Sequence, residues 1–164
     1  ITIYSESECM HRIHNQTPDY LLSIRGVEDA KEPLQFPIEA CRLYFRDTAY
    51  KDDPEAPREE HILEIIKWAD ELDMSKNIWI HCYAGMSRSS AAGLIVLSRH
   101  YGVEKACEIL SSMQVRISST LMEQGSTWFC PNLLMCQLYD QIAGTNLVDQ
   151  LEKYFTFYGK KLVW

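Results

Sequence analysis

The chain has 164 residues, of which 46% are hydrophobic and 24% are charged, a composition typical of a globular domain rather than of a disordered or fibrous chain. Lys and Arg number 16 against 23 Asp and Glu, a net charge of -7, and this sign disfavours nucleic acid and anionic membranes as partners. No apolar run approaches the roughly 20 residues needed to span a bilayer, so no membrane association is expected.

Short β-prone runs bounded by polar or turn residues alternate with helical patterns along the chain. Strands are predicted over residues 1–4, 19–24, 42–45 and 77–80. Helices are predicted over residues 58–73, 87–101, 103–113, 131–142 and 145–158. Pro57 is expected in the first turn of the first helix and Gly102 at the end of the second. We therefore predict an α/β fold with a central, mostly parallel, twisted sheet of about four to five strands flanked by helices.

The cysteines form no C-x-x-C pair and show no zinc-ligand spacing with the histidines. A chain of this length builds a core without disulfides, so reduced thiols and a cytoplasmic location are expected, with disulfides as the alternative that an even cysteine count leaves open. We expect one domain over residues 1–164 and a monomeric protein. The six cysteines are Cys9, Cys41, Cys82, Cys107, Cys130 and Cys136.

One predicted strand continues through a short loop directly into a helix. Cys82 and Arg88 flank the five residues of this loop, which are Tyr83, Ala84, Gly85, Met86 and Ser87. A loop of this length turns its backbone N–H groups toward one point at the positive end of the helix, where they bind phosphate or a similar oxyanion such as sulfate or vanadate. Gly85 allows a turn that a Cβ would obstruct, and Arg88 can bind two oxygens at once.

The same electrostatic field acts on the sulfur of Cys82. A helix N-terminus and an adjacent cation favour the thiolate form, and a thiolate below a bound phosphate monoester can attack phosphorus to form a phosphocysteine. Ser89 is expected to donate a hydrogen bond to the sulfur and to help it leave. His81 is expected to orient the loop by donating to backbone carbonyl groups. The alternatives are that Cys82 is a core thiol and that Ser89 satisfies a backbone group in the first helical turn.

Departure of an alkoxide or phenoxide needs a proton, which a nearby carboxylic acid can supply. Asp47 ends a predicted strand 35 residues before Cys82 and is the first candidate for this general acid and later general base. Asp52 and Asp53 are weaker candidates because the proline-containing loop over residues 50–60 is expected to be solvated. The alternative for Asp47 is a solvated or helix-capping carboxylate.

The string from His81 to Ser89 resembles the H-C-x5-R-[ST] signature of the cysteine-dependent protein tyrosine phosphatase superfamily. The short chain, with Asp47 upstream, is similar to the compact dual-specificity subgroup, particularly its small bacterial-type members. The resemblance covers residues 19–142 and includes a helix that begins with Pro131 and Asn132.

This resemblance implies a phosphorylated protein or peptide as the substrate, phosphotyrosine at least, with phosphoserine and phosphothreonine left open. It also implies catalysis without a metal or other cofactor. Two segments depart from the smallest relatives: residues 118–130 form a longer stretch, and residues 145–164 form a C-terminal helical extension. The implied roles are nucleophile for Cys82, phosphate clamp for Arg88, general acid and base for Asp47, and assisting hydroxyl for Ser89.

Other functions share parts of this pattern. By the same resemblance, the loop also occurs in phosphatases for phosphoinositides and for RNA 5′-triphosphates, whose sites tend to supply extra cations. Here the residues between Cys82 and Arg88 are uncharged, which favours a substrate with a single phosphate. Sulfur-transfer enzymes of the rhodanese type also place a cysteine loop at the start of a helix. They lack the combination of residues found here at His81, Ser89 and Asp47. A phosphoprotein-binding module without turnover is the non-enzymatic alternative.

Overall fold

A computed structural model describes the chain over residues 1–121 and 129–155. Within these residues four strands form one sheet, and all three neighbouring pairs in it are parallel. The strands are β1 (Thr2–Ser5), β2 (Tyr20–Arg25), β3 (Cys41–Tyr44) and β4 (Ile78–Cys82). Their order across the sheet is β1-β4-β2-β3. The predicted α/β class with a mostly parallel sheet is confirmed, and so are the four predicted strands to within two residues at each end.

The helices follow the prediction with four differences, of which the last concerns the start of the helix over residues 59–70. The described helices are α1 (Glu6–Ile13), α2 (Glu59–Asp70), α3 (Arg88–Tyr101), α4 (Val103–Leu121), α5 (Leu133–Ala143) and α6 (Leu147–Tyr154). A short 3-10 helix over Val27–Lys31 and the helix α1 were not predicted. Helix α4 continues well past the predicted end at residue 113.

The start of α2 corrects the prediction for Pro57. The helix begins at Glu59, and the capping residue Arg58 has an extended backbone with φ -127° and ψ 169°. The backbone N–H of Arg58 donates to Nδ1 of His61 at 3.0 Å, so a side chain three residues into the helix closes its first turn. Pro57 therefore precedes the helix instead of lying in its first turn.

Two predicted segments fall partly outside the described residues. The long stretch over 118–130 includes residues 122–128, and the C-terminal extension over 145–164 includes residues 156–164. Helix α6 confirms the first part of the predicted final helix, whose last residues also lie beyond residue 155. In the described part of the chain, no helix combines the length and apolarity required to cross a membrane.

The sheet separates two hydrophobic layers of unequal size. Helix α1 covers one face, where Cys9, Ile13, Leu21 and Trp79 form a small buried cluster. The other helices pack over the opposite face around the main core. Every residue of β4 is buried, as expected for a parallel strand that is covered on both faces.

Helix α3 lies at the centre of the larger layer and contacts β4, β1, α2, α4 and α5. Its residues from Arg88 to Ser98 are all buried. The helix ends at Gly102, which has φ +80°, as predicted for a C-terminal glycine. The rigid packing of β4 and α3 holds both ends of the loop that connects them.

Candidate active site

The carboxyl ends of all four strands lie at one edge of the sheet because the strands are parallel. Cys82 is the last residue of β4 and is buried. Asp47 lies three residues beyond β3, which is two strand positions away from β4. Ligands of open parallel sheets bind beyond this edge, so the topology brings the predicted nucleophile and the predicted acid to the same side of the molecule.

The loop after Cys82 turns tightly against the end of β1. Gly85 has φ +73°, and a Cβ there would lie 2.6 Å from the backbone nitrogen of Ser5. This close approach to another strand leaves room only for glycine. The backbone N–H of Glu6 donates to the carbonyl of Tyr83 at 3.2 Å, and that of Cys130 donates to the carbonyl of Met86 at 2.9 Å. Backbone contacts therefore hold the loop from two sides.

Ser87 is the N-cap residue of α3, but its hydroxyl does not cap the helix. The hydroxyl instead donates to Oδ1 of Asp47 at 2.7 Å. Among the described residues no side chain accepts from the first N–H groups of α3, and the positive end of the helix dipole faces the loop. Such a terminus is suited to an anionic ligand.

Arg88 begins α3 and is only 6% exposed. Its Nη1 donates to the backbone carbonyl of Phe45 at 2.8 Å, which orients the guanidinium group. Its Nε is buried without a hydrogen-bond partner among the described residues and lies 3.8 Å from Oδ2 of Asp47. A buried donor without a partner costs free energy, and an oxyanion in the adjoining cleft would satisfy it.

The predicted pair of Cys82 and Ser89 is in contact. Their Sγ and Oγ atoms are 3.1 Å apart, and both side chains are buried. The separation is within hydrogen-bond range for a sulfur atom. Ser89 lies in the first turn of α3, so the rigid start of that helix sets the position of its hydroxyl relative to the sulfur.

Asp47 is held by two donors on the same oxygen. Besides Ser87, the side-chain Nδ2 of Asn132 donates to Oδ1 of Asp47 at 2.8 Å. Asn132 also donates to the carbonyl of Thr48, and its Oδ1 caps α5 by accepting from the N–H of Met135. The second carboxylate oxygen, Oδ2, faces Arg88. The Asp47 side chain is 37% exposed, so a substrate can reach it.

The contact between Asn132 and Asp47 was missed from the sequence. The resemblance included Asn132 only as part of a helix start, and 85 positions separate it from Asp47. The signal that predicts its capping role is an asparagine immediately before an apolar helix. No sequence pattern links its amide to a carboxylate so distant along the chain.

The weaker acid candidates lie in different surroundings. Asp53 forms an ion pair with Nη1 of Arg46 at 3.1 Å and accepts from the backbone N–H of Glu55. Asp52 is exposed on the same loop. In the described structure neither carboxylate contacts a residue of the loop from Cys82 to Arg88, whereas Asp47 contacts two of them.

His81 is fully buried next to Cys82, but the expected hydrogen bonds from its ring to backbone carbonyls are not found in the described part of the chain. The ring packs edge-on against Phe36, with ring centroids 5.8 Å apart. Burial, followed by the positive charge of Arg25, lowers the pKa of His81 to about 4, and the nearby Cys82 backbone opposes this only in part. The ring is thus neutral near pH 7 and packs against Phe36.

The cysteines are all free thiols. Burial raises the pKa of both Cys9 and Cys107 to about 12. Burial also raises the pKa of Cys130 and that of Cys136. Of the six, only Cys82 lies between a strand end and the N-terminus of a helix beside an arginine.

A cleft of about 150 Å³ opens in front of this site. Arg88, Asp47 and Tyr83 contribute to its wall. The remaining lining residues come from the end of β2, the 3-10 helix that follows it, the start of α1, and Arg46. The cleft therefore reaches the loop at Tyr83 and Arg88, whereas the buried Cys82 is not among the described residues that line it.

No family model and no curated protein matches the chain. Solved structures do match. The chain is 18% identical to DUSP15, with 94% of this chain and 91% of that one covered and a TM-score of 0.56. It is 18% identical to human DUSP28, with 85% of each chain covered and a TM-score of 0.53. It is 15% identical to OH1 from the Orf virus, a tyrosine phosphatase with triple substrate specificity, with coverages of 85% and 80% and a TM-score of 0.52. The chain thus has the fold of the dual-specificity protein tyrosine phosphatases.

Proposed function

We propose that the protein is a metal-independent, cysteine-dependent phosphatase that hydrolyses phosphate monoesters of proteins or peptides, phosphotyrosine at least. The observation that carries the proposal is the proximity of four groups at one sheet edge: the Cys82 thiol, the Ser89 hydroxyl, the Arg88 guanidinium and the Asp47 carboxyl group. The fold shared with dual-specificity tyrosine phosphatases supports the same activity.

In the first step the Cys82 thiolate attacks phosphorus and forms an S–P bond. The P–O ester bond breaks, its electron pair goes to the leaving oxygen, and Asp47 donates the proton that this oxygen needs. Oδ1 of Asp47 already accepts two hydrogen bonds, so Oδ2 is the oxygen that carries the proton. Arg88 and the loop N–H groups bind the phosphoryl oxygens, on which charge accumulates.

In the second step Asp47 accepts a proton from water, whose oxygen attacks phosphorus. The S–P bond breaks and its electron pair returns to Cys82 as a thiolate. The Ser89 hydroxyl, 3.1 Å from the sulfur, donates a hydrogen bond to that thiolate and stabilises it as a leaving group. The products are inorganic phosphate and the free hydroxyl compound, so one water is consumed in each cycle.

The catalytic unit in this proposal is the single domain over residues 1–164, with residues 145–164 as its extension. The mechanism requires a reduced Cys82, and the cytoplasm is a compartment that maintains free thiols. A reducing agent should therefore preserve activity during purification. Loss of activity in air that dithiothreitol restores is the expected behaviour.

Initial rates on a small aryl phosphate, measured in the presence of a chelator, test the proposed activity. We expect full turnover with the chelator and, in a separate assay without chelator, competitive inhibition by vanadate, which occupies the oxyanion site. Loss of turnover on chelation alone would contradict the mechanism. Binding of a phosphotyrosine peptide with no release of phosphate would instead identify a binding module. Sulfur transfer from thiosulfate to cyanide, measured on the same preparation, would identify an enzyme of the rhodanese type.

A further inference from the structure

Arg25, at the end of β2, lines the cleft but is already neutralised. Its Nε lies 2.9 Å from Oε2 of Glu6, and its Nη2 lies 3.0 Å from Oδ1 of Asp29. Its remaining nitrogen, Nη1, donates to the backbone carbonyl of Glu32 at 3.2 Å. The arginine thus faces two carboxylates, and this group of three charged side chains has a surplus negative charge.

Arg46, on the other side of the cleft, has the same arrangement. Its Nη1 lies 3.1 Å from Oδ2 of Asp53, and its Nη2 lies 2.6 Å from Oε2 of Glu55. Two carboxylates again face one guanidinium group. A second phosphate near Arg46 would have to compete with both carboxylates for the same N–H groups.

Glu28 adds another negative charge to the cleft wall. It is exposed and has no ion-pair partner in the described part of the chain. Arg88 also lines this cleft but faces a single carboxylate, that of Asp47, whose Oδ2 lies 3.8 Å from its Nε; this buried Nε has no hydrogen-bond partner in the described part of the chain. Among the described residues of the cleft wall, Arg88 is thus the arginine that carboxylates engage least, and the groups around it carry excess negative charge.

We infer that this site selects singly phosphorylated peptides whose residues next to the phosphorylated position are Lys or Arg, and rejects substrates with acidic neighbours or a second phosphate. The inference rests on the proposed function and specifies its substrate class. Attraction between the acidic cleft wall and basic neighbours raises the encounter rate and stabilises the complex. The ring of Tyr83, which is 77% exposed at the cleft, offers a flanking guanidinium group a cation–π contact.

A set of three phosphotyrosine peptides tests the inference. The peptides share one sequence except for the flanking positions, which are Arg, Gln or Glu. We expect kcat/KM to fall in that order, with about a tenfold difference between the Arg and Glu peptides at low ionic strength. Because salt screens exposed charges, this ratio should shrink toward one as the salt concentration rises.

Glu28→Lys localises the effect, since Glu28 is exposed and belongs to none of the proposed catalytic groups. We expect this variant to reduce the ratio between the Arg and Glu peptides about threefold or more. Because each ratio is taken within one variant, it does not depend on how the added lysine changes the rate on a small aryl phosphate. Glu64→Lys is the matched control. It makes the same change of net charge on helix α2, in a different cleft that includes the starts of β2 and β3, and it should leave the ratio as in the unmutated protein.

Three results would overturn the inference. The first is a higher kcat/KM for the Glu peptide than for the Arg peptide, and the second is an equal decrease of the Arg-to-Glu ratio of kcat/KM in Glu28→Lys and Glu64→Lys. The third is faster hydrolysis of inositol bisphosphates or RNA 5′-triphosphate ends than of the Arg peptide. The aryl phosphate rate keeps the two proposals separate, because it reports turnover without flanking groups. If that rate is zero, the proposed function fails. Calorimetric affinities of the three peptides for the unmutated protein then test the charge preference alone. We expect the affinity to fall in the order Arg, Gln, Glu, and the reverse order would contradict the inference.

Discussion

Two cysteines at opposite ends of the sheet show what makes one of them a candidate nucleophile. Cys41 begins β3 and lines a cleft of about 570 Å³, whereas Cys82 ends β4 and is followed by Tyr83 and Arg88, which line a cleft of about 150 Å³. Burial, with Glu64 and Glu71 nearby, raises the pKa of the Cys41 thiol to about 11. The larger cleft therefore surrounds its cysteine with groups that oppose ionisation. Cys82, by contrast, lies close to the N-terminus of α3 and to Arg88.

The difference follows from the direction of the strands. In a parallel sheet that is followed by helices, the carboxyl end of a strand leads toward a helix N-terminus, where N–H groups and the positive end of the dipole are available. Cys41 lies at the other end of its strand, so β3 separates it from such a terminus. The volume of a cleft does not by itself indicate chemistry; the charges and unpartnered donors in its wall do.

The largest expected effect is the contrast between Cys82→Ser and Cys41→Ser. Without its sulfur nucleophile the Cys82→Ser variant should lose at least about 10³-fold in turnover of an aryl phosphate. Cys41→Ser should retain turnover within about twofold, because Cys41 lies outside the candidate site. Steady-state rates of both purified variants, with folding checked by circular dichroism, make the comparison. Activity that survives in Cys82→Ser would exclude the proposed mechanism.

The second-largest effect on turnover is expected for Asp47→Asn. We expect turnover of a substrate with a poor leaving group to fall by about 10²- to 10³-fold, since general acid catalysis typically contributes this much. A good leaving group needs less protonation, so its turnover should fall much less. Asp53→Asn is the control, because Asp53 pairs with Arg46. A series of aryl phosphates with different leaving groups separates the two variants, and a larger loss in Asp53→Asn would transfer the acid role to Asp53.

The third prediction concerns the buried His81, which should make the free energy of unfolding depend on pH. Its pKa is about 4 in the folded protein, compared with 6.5 for an unperturbed histidine. Between these values the unfolded chain binds a proton that the folded chain does not. The contribution to stability is thus fully present above pH 6.5 and declines as the pH falls toward 4, by up to about 3 kcal/mol.

Denaturant unfolding at a series of pH values measures this effect. The His81→Asn variant should lose that part of the pH dependence of the free energy of unfolding. The exposed His11 is the matched position, and His11→Asn should keep the pH dependence of the unmutated protein. Identical pH slopes for His81→Asn and the unmutated protein would contradict a buried, neutral His81.

The smallest expected effect concerns Asn132, which both positions Asp47 and caps α5. Asn132→Ala should lower kcat on a poor leaving group about tenfold with little change in KM, and should destabilise the protein by about 1 kcal/mol. Asn132→Asp keeps an acceptor for the cap but has no amide donor. It should therefore lose activity and retain most of the stability. Unchanged kcat in both variants would remove Asn132 from the site.

The sheet and most helices could be predicted from the sequence because their signals are local. The apolar run of β4 and the helical spacing in α2 need no knowledge of distant residues. Helix α1 escaped prediction because it buries only Cys9 and Ile13, too few for a clear apolar stripe. Its capping box between Ser5 and Glu8 was the available signal.

The candidate site divides in the same way. The loop from Cys82 to Arg88 is contiguous, so a phosphate-binding role could be proposed for it from its spacing and from a family resemblance, and that role stays a prediction. Contacts made across the fold could not: the amide of Asn132 on Asp47, and the carboxylates around Arg25, come from elements far apart in the chain. Net charge likewise gave no indication of which arginines are neutralised, because ion pairing depends on distances that composition does not contain.

The central claim is that Cys82, and not Cys41, carries the phosphoryl group during turnover. Rapid acid quenching of Asp47→Asn mixed with an aryl phosphate, followed by peptide mass spectrometry, tests it directly, because loss of the general base slows hydrolysis of the intermediate. We expect the added mass of one phosphoryl group on the peptide that contains Cys82 and none on the peptide that contains Cys41. A phosphoryl group on Cys41, or turnover with no covalent intermediate on any cysteine, would contradict it.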